Sequence, residues 1–375
     1  MKTDTLGIYV HIPFCLRKCD YCDFCSYTNL TNDMREMYIS RLIREISTSP
    51  LAGAKVDTVF FGGGTPSLLT PKELDKIFSE LNSTFNIETD AEISLEMNPK
   101  TASYEKLCSF KSIGVNRLSI GMQSIHENEL KSLGRIHTYS DFLTSFDLAR
   151  RTGFNNINID VMYGIPGQSI DSLQQTVDLV CSLKSEHVSL YSLILEEGTP
   201  LYNRKDSLLF PSEDDELKMY SYITKTLGLA GYDHYEISNY ALPGHKCRHN
   251  LKYWRCNDYL GFGVTAYSCI GNGRFGNVSD LQDYCSSEDP VVYREQLSRD
   301  DKAFEYVMLK LRLSEGFRLS ELERLFAKTP EPVISRKIQD LIDMGYVLFD
   351  GDRINLTEKG FYVSNTLIGM FCELV

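Results

Sequence analysis

Along the first half of the chain, short apolar runs rich in β-branched and aromatic residues alternate with stretches whose apolar positions recur every three to four residues. That change of period separates strands from amphipathic helices. The runs predict six strands: Ile8 to His11, Val56 to Phe61, Ile93 to Met97, Arg117 to Met122, Ile157 to Tyr163 and Val188 to Ile194. Between the first two, Met34, Tyr38, Leu42 and Ile46 mark one helix face behind the capping residues Thr31, Asn32 and Asp33. A second helix starts at Thr70-Pro71, with proline at its first position. A short one carries Tyr104, Leu107 and Phe110 and stops at Gly114. Another runs from about Ser140 to Thr152 before Gly153, and Leu173, Val177 and Val180 form the face of the next. Strands alternating with helices imply parallel βαβ units.

Period alone does not separate an open doubly wound sheet from a barrel, but the placement of polar residues does. Cysteines follow the first strand and glycines the second. Glu96 ends the third, Gln123 lies just past the fourth, and Asp160 is on the fifth. An open sheet gathers its site at one switch point. Polar groups at successive strand ends fit the active face of a barrel. The expected fold is therefore α/β, a partial (β/α)6 TIM-type barrel.

After Leu195 the pattern loosens. A helix of about Asp214 to Leu229 precedes the strand-like DHYEIS, and the stretch from Asn239 to Asn277 reads as loop-rich. Beyond Leu281, DKAFEYVMLKLRL, SELERLF and SRKIQDLIDM read as helices. Tyr346 to Phe349 and Arg353 to Leu356 flank Asp350-Gly351-Asp352, a hairpin signal, and Thr357 caps a final helix. This defines a smaller, mainly helical, winged-helix-like domain. The expected divisions are a barrel core over 1–235, a connecting segment over 236–280 and a C-terminal domain over 281–375.

Composition narrows the function. The net charge of −12 argues against general nucleic-acid binding, and a structural or partner-contacting role for the winged-helix-like unit fits better. The start, MKTDTLGIYV, lacks the apolar core of a secretory leader, and no run is apolar enough for a membrane span. Eleven cysteines, an odd number and unevenly spaced, fit free thiols in a reducing cytoplasm better than a disulfide framework.

The chemistry concentrates in HIPFCLRKCDYC, where Cys15, Cys19 and Cys22 are spaced C-x3-C-x2-C. Thiolates suit an iron–sulfur cluster or zinc. A cubane normally takes four cysteines, so three leave one iron open. Cys25 would complete a four-thiolate zinc loop on spacing alone, and that alternative stands beside a reading of Cys25 as a spectator. His245, Cys247 and Cys256 match no strong zinc pattern. In GGGTPS, Gly62 to Ser67, absent side chains let a ligand approach the backbone, although a tight turn would need the same glycines. Asp160, a lone carboxylate on an apolar strand, requires a polar partner.

The cysteine motif after a first strand resembles the radical S-adenosylmethionine (SAM) superfamily. YVHIPFC, FFGGGTPSLL, NRLSIGMQS, LGRIH, NIDVMYGIPGQ, YEISNYA and HNLKYW occur in this order, covering nearly the whole chain. Together they resemble the oxygen-independent coproporphyrinogen III oxidase-like family, and within it the HemW heme-chaperone branch. The resemblance implies a [4Fe–4S] cluster on Cys15, Cys19 and Cys22, with SAM on the open iron, where one electron would release a 5′-deoxyadenosyl radical. It implies SAM contacts from Tyr9, Tyr21, Gly63, Gly64, Thr65, Glu96, Gln123, Arg135 and Asp160. It also implies a heme contact from His249 in HNLKYW, with Tyr253 and Trp254 flanking the macrocycle. The implied partners are heme, a heme-accepting protein, a reductant for the cluster and a second copy in a homodimer. The oxidase itself, which removes propionate carboxylates, is the alternative. It carries a further cysteine two residues after the third ligand, where this chain has Phe24, and a longer N-terminal extension. GFGVTAYSCIGNGR, in contrast, looks somewhat like the oxidase.

Overall fold

On the first strand, Ile8, Val10 and Ile12 are wholly buried, while the alternate residues Tyr9 and His11 meet in a side-chain hydrogen bond on the opposite face. This period-two split is repeated across the sheet. The protein, a computed structural model, is described over residues 5–328 and 332–372. Met1 to Asp4, the first residues of the opening read for a leader, lie outside the described residues.

The strands are β1 (Leu6–Ile12), β2 (Lys55–Gly63), β3 (Asn86–Met97), β4 (Arg117–Gln123), β5 (Ile157–Tyr163) and β6 (His187–Ser192). They pair in sequence order, all parallel. β3 starts earlier than the apolar run, and β6 stops before Leu193 and Ile194, which leave the sheet. The crossover helices are α1 (Asn32–Ser47), α2 (Pro71–Thr84), α3 (Tyr104–Ile113), α4 (Tyr139–Arg151) and α5 (Ile170–Leu183). Thr31 caps α1 by accepting from the Met34 amide, and Thr70 and Glu73 close a capping box on α2. Gly114, at φ 133°, ends α3.

Helix α6 (Glu213–Leu229) leads into β7 (Asp233–Glu236), which pairs with β8 (Asn239–Ala241); β8 runs antiparallel to β6. The segment expected to be loop-rich is largely ordered into elements. After β8 it forms α7 (Arg248–Trp254), β9 (Tyr259–Phe262), β10 (Tyr267–Ile270) and β11 (Gly273–Asn277). Strand β9 lies parallel to β1 on its free side, and β10, β11 and β12 (Val291–Gln296) continue the sheet antiparallel. The order is β12-β11-β10-β9-β1-β2-β3-β4-β5-β6-β8-β7, with unpaired ends, so the barrel is partial. The glycines and short strands of this segment hid its periodicity.

The expected boundary at residue 281 therefore falls inside the main sheet. Leu281 and Tyr284 pack in the barrel's own core, while a second core begins with α8 (Arg299–Lys310) at Ala303, Tyr306 and Val307. It continues through β13 (Phe317–Arg318), α9 (Leu319–Phe326) and α10 (Pro332–Asp343). Strands β14 (Val347–Phe349) and β15 (Arg353–Leu356) form the expected hairpin, in a sheet of order β13-β15-β14. The Asp350 carboxylate accepts from the amides of Asp352 and Arg353 at 3.0 and 2.7 Å, and Gly351 takes φ 103°. Thr357 caps a short helix, α11 (Glu358–Tyr362), and α12 (Ser364–Cys372) follows, so the expected final helix is two. Among the described residues no helix is long and apolar enough to cross a membrane.

Candidate functional site: the cysteine cavity

At the C-terminal ends of the barrel strands lies a cavity of about 460 Å3. Its lining brings together Cys15, Cys19, Cys22, Tyr21, Gly63, Gly64, Thr65, Glu96, Gln123, Arg135 and Asp160. Residues from five strand ends and two loops thus meet around one space. Tyr9 is not in the lining; its hydroxyl bonds His11 Nδ1 at 3.0 Å.

The cysteine loop is fixed at both ends. Cys15 Sγ stands 3.5 Å from the Thr65 hydroxyl, and a two-residue parallel bridge pairs Phe14–Cys15 with Tyr27–Thr28. His11 Nε2 donates to the Cys25 carbonyl at 2.9 Å, and its ring fills the space a Cβ on Gly63 would need. Its place three residues before Phe14 in HIPF is the only signal the sequence carries for His11. A Cβ on Gly64 would come within 2.8 Å of the Phe14 carbonyl and 3.1 Å of the Cys15 sulfur. A bare backbone beside a thiol is a cradle that only glycine leaves open.

Arg135 is half-buried in the wall. It donates to Asn98 Oδ1 at 2.9 Å, to the Gly121 carbonyl at 2.7 Å and to Cys19 Sγ at 3.4 Å, while its Nε has no partner. Gly121 is required here as well, because a Cβ would meet the guanidinium at 2.8 Å. Asn98, closing SLEMNP, is a second supporting residue that sequence reasoning passed over. Burial pushes the Cys22 thiol up to about 11. The cation of Arg135 and the spread of three thiols around one cavity suit an anionic cluster.

Two carboxylates face this space. Burial, reinforced by Asp160, pushes Glu96 up to about 8, against a hydrogen bond from the Gly63 amide at 3.2 Å. Asp160 is also raised by burial and partly relieved by its donors: Asn158 Nδ2 at 2.6 Å and Ser119 Oγ at 3.2 Å. The polar partner its sequence position required is therefore present. Gln123 adopts φ 67°, a left-handed conformation rare for a side chain other than glycine, and accepts from the Tyr191 hydroxyl at 3.1 Å. Tyr21 packs with Leu133, Met162 and Ile165.

The other expected donors are elsewhere. Cys25 is outside the cavity lining, its sulfur directed at the Ser279 carbonyl at 3.5 Å. As placed, it supplies no fourth thiolate for a zinc loop. Among the described residues no three His, Cys, Asp or Glu side chains converge on a single-ion position.

His249 lies apart from this cavity. It sits on α7, which plugs the opposite end of the barrel, and is 1% exposed. Glu92 on β3 caps that helix by accepting from the Arg248 and His249 amides at 3.0 and 3.1 Å. His249 Nδ1 meets the Thr58 hydroxyl at 3.0 Å, Nε2 meets the Tyr253 hydroxyl at 2.9 Å, and the ring stacks on Phe60. Burial pushes its pKa down to about 3. Both ring nitrogens are engaged, so neither is offered to an iron. Trp254 faces the C-terminal domain, under the guanidinium of Arg312. The motif HNLKYW is a barrel floor.

Residues 9–180 match the radical SAM superfamily and residues 297–363 the HemN C-terminal domain. The chain is 34% identical to the heme chaperone HemW of Lactococcus lactis, over 97% of this chain and 96% of that one. It is 34% identical to HemW of Bacillus subtilis, over 97% and 98%. It is 32% identical to HemW of Escherichia coli, over 99% of each. The solved structure of coproporphyrinogen III oxidase (HemN) from Escherichia coli, a radical SAM enzyme, superposes with a TM-score of 0.84 at 25% identity, covering 99% of this chain and 90% of that one.

Proposed function

Because the chain belongs to the radical SAM superfamily and, within it, to the heme chaperone HemW family, we propose that it is a cytoplasmic carrier that binds heme and passes it to an acceptor protein. The observation that carries the proposal is full-length similarity to heme chaperones in a chain whose cysteine loop, glycine cradle and paired carboxylates share one cavity.

In this reading Cys15, Cys19 and Cys22 hold a [4Fe–4S] cluster, which supplies one-electron chemistry to SAM when both are present. The bare backbone of Gly63 and Gly64, with Thr65, would hold the polar end of SAM. Glu96 would accept from ribose hydroxyls through its carboxyl oxygens. Asp160, Gln123 and Arg135 would complete the wall, and Tyr21 would pack on the ligand's flat face. Tyr9 would act through His11, fixing the loop from below. An external reductant would serve the cluster, and a homodimer is the expected assembly.

The second reading is oxidative decarboxylation of coproporphyrinogen III, favoured by the TM-score of 0.84 to that oxidase. Against it, the segment GFGVTAYSCIGNGR lies outside the cavity lining, and Phe24 occupies the position of the oxidase's additional cysteine.

One anaerobically reconstituted sample tests both. The expected result is stoichiometric heme binding, transfer of that heme to an apo-hemoprotein, and no protoporphyrinogen from coproporphyrinogen, SAM and a reductant. Protoporphyrinogen formed over many turnovers would replace the carrier reading with the oxidase.

A further inference from the structure

With His249 closed off, the proposed cargo needs another seat. Three large apolar side chains stand in water at the mouth of the cysteine cavity: Leu16, Phe24 and Ile194, exposed by 59, 63 and 67%. Phe24 and Ile194 line the cavity itself, and Leu16 lies between the lining residues Cys15 and Arg17. Single exposed apolar residues are ordinary, but several around one opening mark a binding surface.

Charge adds a second, independent observation. Arg17 and Lys18 are exposed and line the same mouth, on a chain whose net charge is −12. Asp23 and Glu196 lie on the lining too, so the mouth is not a general anion trap. Two neighbouring cations beside an apolar rim fit a flat ligand with an apolar body and carboxylates grouped on one edge. Heme has that shape and charge.

From these residues, and resting on the carrier reading above, we infer that heme seats across the mouth of the cysteine cavity, with its ring on Leu16, Phe24 and Ile194 and its propionates on Arg17 and Lys18. No histidine occurs among the described lining residues. Affinity then comes from burial of the ring and from exposed ion pairs, not from an imidazole–iron bond. Both contributions are given up readily, as delivery to an acceptor demands. The seat also lies on the loop that carries the three cysteines, so cargo and cluster share one short segment.

The test is titration of the full, anaerobically reconstituted chain with hemin, read at the Soret band. A Phe24→Ser/Ile194→Ser variant and an Arg17→Glu/Lys18→Glu variant are each expected to weaken hemin binding at least tenfold, with iron and acid-labile sulfide contents unchanged. The wild type is expected to prefer protoporphyrin IX over its dimethyl ester, and the charge variant to lose that preference. A smaller change in both variants, or loss of hemin on His249→Gln at wild-type folding stability, would overturn the inference. Hemin bound by the wild type but indifferent to the rim rejects this seat alone, whereas a wild type that binds no hemin rejects the carrier reading with it.

Discussion

Arg135 donates a hydrogen bond to the sulfur of Cys19 at 3.4 Å, joining the wall after β4 to the loop after β1. The same guanidinium holds Asn98 and the Gly121 carbonyl, so three acceptors depend on one side chain. Charged hydrogen bonds contribute about 1.5–3 kcal/mol each. Arg135→Met is expected to lower stability by about 3 kcal/mol or more in urea unfolding, and to reduce the iron retained after anaerobic desalting. An unchanged urea midpoint would contradict this bracing role.

Cys25 and Cys19 should part company. Cys25→Ser is expected to assemble the same iron and sulfide content as the wild type, because its sulfur faces Ser279 and not the cavity. Cys19→Ala is expected to lose the cluster's visible absorbance. Loss of iron in Cys25→Ser equal to that in Cys19→Ala would restore the four-thiolate alternative.

Glu96 makes the ligand-free barrel sensitive to alkali. Folding raises its pKa from the ordinary 4.5 to about 8, so the folded chain keeps a proton that the unfolded chain has released. Stability from this group is therefore complete below about pH 4.5 and declines as pH rises toward 8. Glu96→Gln removes the decline. Its melting temperature, relative to wild type, should be higher at pH 8 than at pH 5, and equal differences at both would rule out the raised carboxyl.

Gln123 tests backbone strain. A left-handed conformation costs an ordinary residue about 1–2 kcal/mol and glycine almost nothing. Gln123→Gly and Gln123→Ala both lose the bond from Tyr191, but only glycine relieves the strain. The glycine variant is expected to be more stable than the alanine variant by about 1 kcal/mol. Equal chemical-denaturation midpoints would show that the strain is absent in solution.

His249→Ala leaves the Thr58 and Tyr253 hydroxyls short of a partner and opens a gap beside Phe60. The expected cost is about 2–4 kcal/mol. Hemin affinity of the fraction that stays folded should match the wild type.

Much of this site was legible because its residues sit where the strand period forces them. In RLSIGMQ, Arg117, Ser119, Gly121 and Gln123 alternate with apolar residues, and in INIDVMY Asp160 follows the same rule, so one face had to be polar. The cysteine and glycine loops were visible from spacing. Hidden were the groups whose roles depend on distant chain: His11 beneath Gly63, Asn98 against Arg135, and Glu92 under the amides of α7. Strand β9 is hidden because four residues with Gly261 among them and Gly263 just after leave no period to count. The hydrogen-bonded seat of His249 was not legible, because a motif fixes neighbours in sequence, not the hydroxyl of Thr58 191 positions away.

The floor of the barrel arrives late in synthesis. Glu92 finds the helix it caps only once residues 248–254 have left the ribosome, and β1 gains its second neighbour only with Tyr259–Phe262. A nascent chain that stops near residue 235 exposes one edge of its first strand and a buried acid without its amides. This end of the barrel is thus sealed by its own later translation, and a chain cut there should be cleared as misfolded instead of persisting as a free-standing barrel.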